Sequence, residues 1–139
     1  MKPEPLSMVE DDGMCFCCGA KNPIGLKLEF EMLPESRLRT HWTPRKEHQG
    51  YKDIVHGGLV AAVLDEVMIR LLYALGIRAV TAELHTRFIR PLRAGTRYRF
   101  ESRLIEDKGR LVMAAMEAFD ARTGEKVASG SATCARVRG

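Results

Sequence analysis

Features that mark several other classes of protein are missing from this chain of 139 residues. The longest apolar run, residues 57–64, is far shorter than the roughly 20 residues that a membrane-spanning helix needs. The chain has no basic segment followed by an apolar one, which is the pattern of a signal peptide. The chain has only four cysteines, too few for a secreted disulfide scaffold. We therefore expect a cytoplasmic domain with no membrane partner.

Three of the four cysteines, Cys15, Cys17 and Cys18, stand close together and include a C-x-x-C pair. Such a pair can begin a zinc site, but no second C-x-x-C or H-x₃-H follows to complete one. The histidines of the chain do not have the spacing of metal ligands either. We therefore expect free, buried thiols, no metal and no cofactor.

The whole chain has a net charge of +4, and its positive charge is concentrated in the second half. Residues 1–76 carry 9 basic and 11 acidic side chains, net −2, whereas residues 77–139 carry 13 and 7, net +6. A basic surface suits an anionic partner, either nucleic acid or a phosphorylated small molecule, or it belongs to solvated strand faces. The basic residues form no run and no nucleic-acid-binding motif accompanies them, so we expect no nucleic-acid partner.

The hydrophobic pattern predicts one long helix between two groups of strands. Alternating apolar residues predict strands over 26–33 and 37–43, and apolar residues on nearly every side predict a buried helix over 57–76. Four further strands are predicted over 80–91, 96–106, 110–121 and 126–137, the last three joined by tight hairpins. The order β-β-α-β-β-β-β predicts an α+β fold, in which a curved antiparallel sheet wraps around one central helix. This domain would cover residues 14–139, behind a flexible arm of residues 1–13.

The start of the predicted helix combines two glycines with a carboxylate further along. Backbone N–H groups at a helix N-terminus have no intrahelical acceptor, so those of Gly57 and Gly58 can bind an oxyanion. A glycine pair can also serve only to permit a tight turn. Asp65 has only apolar neighbours three and four residues away, and burial there would raise its pKa, as suits a general base or acid. The alternative for Asp65 is a structural hydrogen bond that closes a loop.

Two residues lie next to these groups in the sequence, Glu66 and His56. Glu66 is spaced to form an ordinary surface pair with Arg70, so we expect it to be solvated. His56 can act as a base or proton carrier, or it can hydrogen-bond the loop backbone and orient the glycines. We favour the structural role for His56.

These residues resemble the pattern of the hot-dog fold thioesterase superfamily, in its PaaI-like and THEM4-like branch. The resemblance rests on His-Gly-Gly at 56–58, an acid nine residues after the histidine, and the segments Thr-Ala-Glu-Leu at 81–84 and Arg-Pro-Leu at 90–92. The segment from Cys18 to Leu26 is also similar to a lead-in of some members. Together these features cover most of residues 15–137, and the order of the predicted elements matches.

The resemblance implies hydrolysis of an acyl-CoA thioester to a free acid and coenzyme A. It implies that Asp65 is the catalytic carboxylate, as base or nucleophile, and that Gly57, alone or with Gly58, stabilises the oxyanion. It also implies that Thr81 positions the attacking water. Many members carry Asn or Gln six residues before the histidine, where this chain has Gly50. Two neighbouring side chains, Gln49 and His48, are candidates to replace that donor.

The remaining expectations concern the substrate and two rival functions. Arg87, Arg90 and Arg93 are candidates to bind the phosphates of coenzyme A, although solvated strand arginines are common. One rival function is hydration or dehydration of acyl thioesters, in which His56 would act with an acid. The other is a non-catalytic acyl-CoA-binding module. Sensors of this fold usually carry a DNA-binding domain, for which we expect residues 1–13 to be too few.

The spacing of Gly57 and Asp65 predicts that active sites are shared between subunits. Eight residues of helix separate their backbones by roughly 12 Å, whereas a thioester carbonyl oxygen and its attacking water lie about 3 Å apart. Two antiparallel helices related by a two-fold axis would place the N-terminus of one beside the middle of the other. We expect a homodimer with two shared sites, and a tetramer formed from two such dimers.

Overall fold

The computed structural model describes residues 9–137. Residues 1–8, which make up most of the predicted arm, and residues 138–139 lie outside the described residues. The elements follow the predicted order: β1 (Phe30–Leu33), β2 (Arg37–Trp42), a short 3-10 helix (Lys46–His48), α1 (Gly57–Ala74), β3 (Ala79–Phe88), β4 (Tyr98–Asp107), β5 (Leu111–Asp120) and β6 (Lys126–Arg136).

The strands form one antiparallel sheet in the order β1-β2-β4-β5-β6-β3, and α1 lies against its inner face. Helix and sheet bury one continuous core, to which α1 contributes Val60, Val63, Leu64, Val67, Met68, Leu71 and Leu72. The predicted architecture, a curved sheet around one long helix, is therefore confirmed. Among residues 9–137, no helix has both the length and the apolar character that crossing a bilayer requires.

The first strand is shorter than predicted, because it begins at Phe30 instead of residue 26. The backbone N–H groups of Leu26 and Leu28 donate to the carbonyl oxygens of Phe16 and Cys17, at 2.8 and 2.9 Å. Leu28 is buried and Leu26 is partly buried against the core, so the apolar alternation reflects real burial. The backbone of this segment is hydrogen-bonded to the cysteine-containing loop (residues 15–18) instead of to a strand. The local sequence pattern does not reveal that partner.

Strand β3 lies at the edge of the sheet, where it pairs only with β6. Its register shifts between Thr81 and Glu83, so that Ala82 has no partner across the ladder. One extra residue in a strand reverses which side chains face inward beyond it. Thr81 before this bulge and Leu84 after it therefore both face α1 and the core. Without the bulge, Thr81 and Leu84 would point to opposite faces of the sheet.

The same strand ends three residues earlier than predicted, at Phe88 rather than residue 91. The N–H groups of Ile89 and Arg90 both donate to the carbonyl oxygen of Val127, at 2.9 and 3.0 Å. Two donors on one acceptor break the regular ladder, and Pro91 has no N–H to continue it.

Candidate active site

The N-terminus of α1 is capped by the histidine that precedes it. His56 Nδ1 accepts a hydrogen bond from the N–H of Gly58 at 2.9 Å. The N–H of His56 donates to the carbonyl oxygen of His48, also at 2.9 Å, which fixes the entry to the helix. Gly57 is the first helical residue, and its N–H has no acceptor within the helix. Gly57 therefore offers the N–H best suited to bind a ligand oxygen, while that of Gly58 already binds the cap.

Phe88 at the end of β3 lies against this helix N-terminus. A Cβ atom on Gly57 would lie 3.5 Å from Phe88 Cζ, which is an ordinary contact. A Cβ atom on Gly58 would lie only 3.0 Å from His56 Nδ1, which would displace the capping ring. A side chain at position 58 would therefore push the capping ring by a few tenths of an ångström, whereas position 57 has room for a methyl group.

Asp65 and Thr81 meet where the middle of α1 lies under β3. Asp65 is half-buried, and its Oδ1 accepts a hydrogen bond from Thr81 Oγ1 at 2.6 Å. Burial raises the pKa of Asp65 and nearby Glu66 raises it further, while the hydrogen bond from Thr81 opposes the rise. The net effect is a raised carboxyl pKa, as the apolar helical neighbours predict. Such a group suits proton transfer near neutral pH better than an ordinary aspartate does.

The surroundings of Glu66 correct the prediction made for it. Glu66 is only 7% exposed, and its Oε2 accepts a hydrogen bond from the Cys15 thiol at 3.0 Å. Arg70, its expected partner, instead lies 3.7 Å from the carboxylate of Asp11 and stacks over the ring of Tyr73. The prediction of a solvated Glu66 was wrong, because the cysteine-containing loop covers this face of α1.

The two candidates for a second carbonyl donor are both used within the loop before α1. His48 is buried, its Nδ1 accepts from the N–H of Arg45 at 2.9 Å, and burial followed by the charge of Arg45 lowers its pKa. Gln49 Oε1 accepts from the N–H of Asp53 at 3.1 Å. Gly50 lies beside the capping histidine, to whose Cα a Cβ atom on Gly50 would be 3.5 Å. The side chains at 48 and 49 therefore stabilise the loop that leads into the helix.

The three candidate arginines are all exposed and follow one another through the end of β3 and the next turn. Arg93 forms an isolated β-bridge with Ile54, just before α1, so this turn lies beside the helix N-terminus. Arg90 forms an ion pair with Glu125. Within the described residues, neither Arg87 nor Arg93 is engaged by a carboxylate, so their charges are the better placed to bind a phosphate.

Sequence reasoning missed two contacts at these sites. The approach of Phe88 to Gly57 joins segments that no local periodicity connects. Likewise, the C-x-x-C pair is visible in the sequence, but its contact with Glu66 is not. The available signal was the C-x-x-C pair, which has no further metal ligands at a suitable spacing in the sequence.

A helix N-terminus with an unused N–H, a half-buried carboxylate in mid-helix and an enclosing antiparallel sheet define a hot-dog domain of the thioesterase type. The family model described as "Thioesterase superfamily" matches residues 52–127, and the chain belongs to this family. The matched range includes the helix, the candidate site residues Asp65 and Thr81, and the three candidate arginines, but not the cysteine-containing loop. No curated protein matches the chain.

Several solved structures share the fold. RHA08564, a thioesterase superfamily protein, is 25% identical with a TM-score of 0.82, over 88% of this chain and 60% of that one. This chain therefore spans less than two thirds of the length of that protein. The PaaI protein of the E. coli phenylacetic acid degradation operon is 18% identical with a TM-score of 0.76, over 82% of each chain. A hypothetical thioesterase from Streptococcus pneumoniae, solved with coenzyme A, is 14% identical with a TM-score of 0.73, over 81% of this chain and 86% of that one.

Proposed function

We propose that this protein is an acyl-CoA thioesterase, which hydrolyses the thioester to a free acid and coenzyme A. The observation that carries the proposal is the half-buried carboxylate of Asp65, held by Thr81 and raised in pKa, on a helix that begins with an available N–H. Membership of the thioesterase superfamily and a coenzyme A complex of a similar fold support this substrate class.

The proposed mechanism assigns one task to each group. The Gly57 N–H binds the thioester carbonyl oxygen and stabilises the negative charge that develops when the carbon is attacked. In one route Asp65 takes a proton from water as the water oxygen bonds to the carbon, and the C–S bond then breaks to release the thiolate. In the other route Asp65 itself attacks, the thiolate leaves, and water hydrolyses the resulting anhydride. Thr81 holds Asp65 Oδ1 and can accept a hydrogen bond from the water.

We further propose that each active site is shared between two chains. Within one chain, Gly57 and Asp65 lie roughly 12 Å apart along α1, too far to act on one carbon. The ten-residue edge of β3, Ala79–Phe88, pairs on one side only, and an equivalent edge can complete it. Antiparallel pairing of two such edges about a two-fold axis would bring the Phe88 end of one strand beside the Thr81 end of the other. Since Phe88 lies beside Gly57 and Thr81 binds Asp65, each Gly57 would then approach Asp65 of the partner subunit.

The substrate's nucleotide portion would bind near the arginines at the end of β3 and in the turn after it, which lies beside the N-terminus of α1. Arg87 and Arg93 are the stronger candidates for the phosphates of coenzyme A, because Arg90 is already paired with Glu125. A guanidinium group presents several donors to phosphate oxygens, which suits this role. Exposure of these side chains leaves them accessible to a bound nucleotide.

The geometry of His56 favours hydrolysis over the rival hydration or dehydration reaction. Its Nδ1 accepts the Gly58 N–H, so in the neutral ring Nε2 carries the proton. A ring in this state has no free lone pair with which to accept a proton from a substrate. His56 therefore acts as the helix cap in our proposal, and Asp65 carries the proton transfer.

A panel of acyl-CoA substrates tests the proposal. Short, medium, long and aromatic acyl-CoAs are incubated with the enzyme, and the free thiol of coenzyme A is measured over time. Thiol release that depends on Asp65 is the expected result. Binding of every acyl-CoA without turnover would favour the binding module, and hydration of an enoyl-CoA without thiol release would favour the rival enzyme.

A further inference from the structure

We propose that Cys15, Cys18 and Glu66 form a binding site for one zinc ion, outside the proposed catalytic groups. The inference does not depend on the thioesterase activity. It replaces the expectation of no metal, which rested on the missing second ligand pair in the sequence. The fold supplies a third ligand from the middle of α1.

The three side chains converge from distant parts of the chain. One sulfur atom from each cysteine and one carboxylate oxygen of Glu66 all lie within 4.8 Å of one another. In a tetrahedral zinc site, Zn–S bonds of about 2.3 Å and Zn–O bonds of about 2.1 Å place neighbouring ligand atoms about 3.6–3.8 Å apart. The cluster therefore already has nearly the size that zinc requires, with Cys15 Sγ 3.0 Å from Glu66 Oε2.

The loop that carries the thiols is tightly constrained. The Gly19 N–H donates to the Cys15 carbonyl oxygen at 2.8 Å, which closes a turn around the C-x-x-C pair. A Cβ atom on Gly19 would lie 2.4 Å from both Cys15 N and the Gly13 carbonyl oxygen, so no other residue fits there. Cys17, between the two proposed ligands, is buried and directs its sulfur toward the Ala62 carbonyl oxygen at 3.8 Å. The turn thus separates two thiols that face Glu66 from one that faces the core.

The charge of Glu66 is poorly compensated without an ion. The residue is 7% exposed, and within the described structure its carboxylate accepts a hydrogen bond from the Cys15 thiol, which donates weakly. Burial of a carboxylate is costly unless it is paired or coordinates a metal, and Arg70 on the next turn instead lies beside Asp11. A zinc ion would neutralise two of the three negative charges of two thiolates and one carboxylate. A donor set of two sulfurs and one oxygen suits zinc, whereas calcium and magnesium prefer oxygen ligands.

An ion can reach the cluster from the surface. Cys15, Cys18 and Glu66 line a cavity of about 860 Å³ together with residues 9–12 and the C-terminal part of α1. Water from this cavity can occupy a fourth coordination position. A bound ion would join the loop at residues 15–18 directly to α1 and so stabilise the folded chain.

Anaerobic titration of the reduced, chelator-stripped full chain with Co²⁺ alone tests the site. We expect one Co²⁺ per chain, with thiolate-to-cobalt charge-transfer absorption and the strong visible bands of tetrahedral cobalt, and displacement by an equivalent of Zn²⁺. Loss of even an outer-shell partner lowers metal affinity 10–100-fold, so Cys15→Ser, Cys18→Ser and Glu66→Gln should each lower it at least about 100-fold. Glu66→Gln keeps the shape of the side chain and an acceptor for the Cys15 thiol.

Cys17→Ala is the matched control, since it removes a neighbouring thiol that faces the core, and it should keep its Co²⁺ affinity within about threefold. Circular dichroism of each metal-free variant separates loss of ligand from loss of fold, and the two serine variants suffice if Glu66→Gln does not fold. The proposal is overturned if no thiolate band appears at one equivalent, or if Glu66→Gln binds as tightly as the parent. None of these measurements uses thioester hydrolysis, so failure here leaves the proposed function untouched.

Discussion

Replacement of Gly57 by proline removes one N–H group while leaving the helix intact. Position 57 is the first residue of α1, where proline is well tolerated because that N–H has no acceptor in the helix. The preceding His56 has φ −58° and ψ 127°, which lies in the range compatible with a following proline. A Cβ atom there meets Phe88 at an ordinary 3.5 Å.

The expected loss is that of a single oxyanion donor. Removal of one such donor lowers kcat by about 10²–10³, equivalent to about 2.7–4 kcal/mol of activation free energy. The free energy of unfolding should not fall, because a proline that fits the native backbone reduces the entropy of the unfolded chain. Activity and stability should therefore separate clearly in this variant.

Gly57→Ala is the matched control, because it adds a methyl group and keeps the N–H. Both variants are assayed for thiol release from the best acyl-CoA of the panel, and thermal unfolding is followed by circular dichroism. A folded Gly57→Pro protein whose kcat lay within about threefold of Gly57→Ala would refute the assignment of the oxyanion donor.

Four further predictions concern Asp65, Thr81 and the sharing of the site between subunits. Asp65→Asn should lower kcat by about 10²–10⁴, since the amide keeps the shape and the acceptor for Thr81 but cannot take a proton; near-normal hydrolysis would exclude Asp65 as base or nucleophile. Because the folded-state pKa of Asp65 is raised, its ionisation costs stability as pH rises through that pKa. Asp65→Asn should therefore unfold at a higher temperature than the parent at pH 7, and the difference should vanish below about pH 4; a lower unfolding temperature at pH 7 would contradict this reasoning. Thr81→Ala should lower kcat about 10–100-fold, and Thr81→Ser should recover part of that loss. Equal activity of the parent, Thr81→Ala and Thr81→Ser would exclude Thr81 from the mechanism. Asp65→Asn chains mixed with Gly57→Pro chains should, after subunit exchange, be more active than either variant alone, whereas no gain despite proven exchange would argue against a shared site.

Features that depend on residues close together in the sequence were predicted correctly. Helix α1 follows from apolar residues on nearly all its sides, and the hairpins after β4 and β5 follow from glycines that adopt positive φ, 84° at Gly109 and 77° at Gly124. The raised pKa of Asp65 also follows locally, because its neighbours at three and four residues are apolar. Each of these features depends on residues within a few positions of one another.

Only the tertiary structure decided the environment of Glu66, the start of β1 and the orientation of Thr81. Cys15 lies 51 positions from the carboxylate that its thiol contacts, and the loop around it also takes the hydrogen bonds of Leu26 and Leu28. Thr81 faces Asp65 on the same side of β3 as Leu84, because a one-residue bulge lies between them. No alternation of apolar residues predicts this bulge. Periodicity along a chain specifies which face of an element is apolar, but the segment that covers that face is selected by packing between residues far apart in sequence.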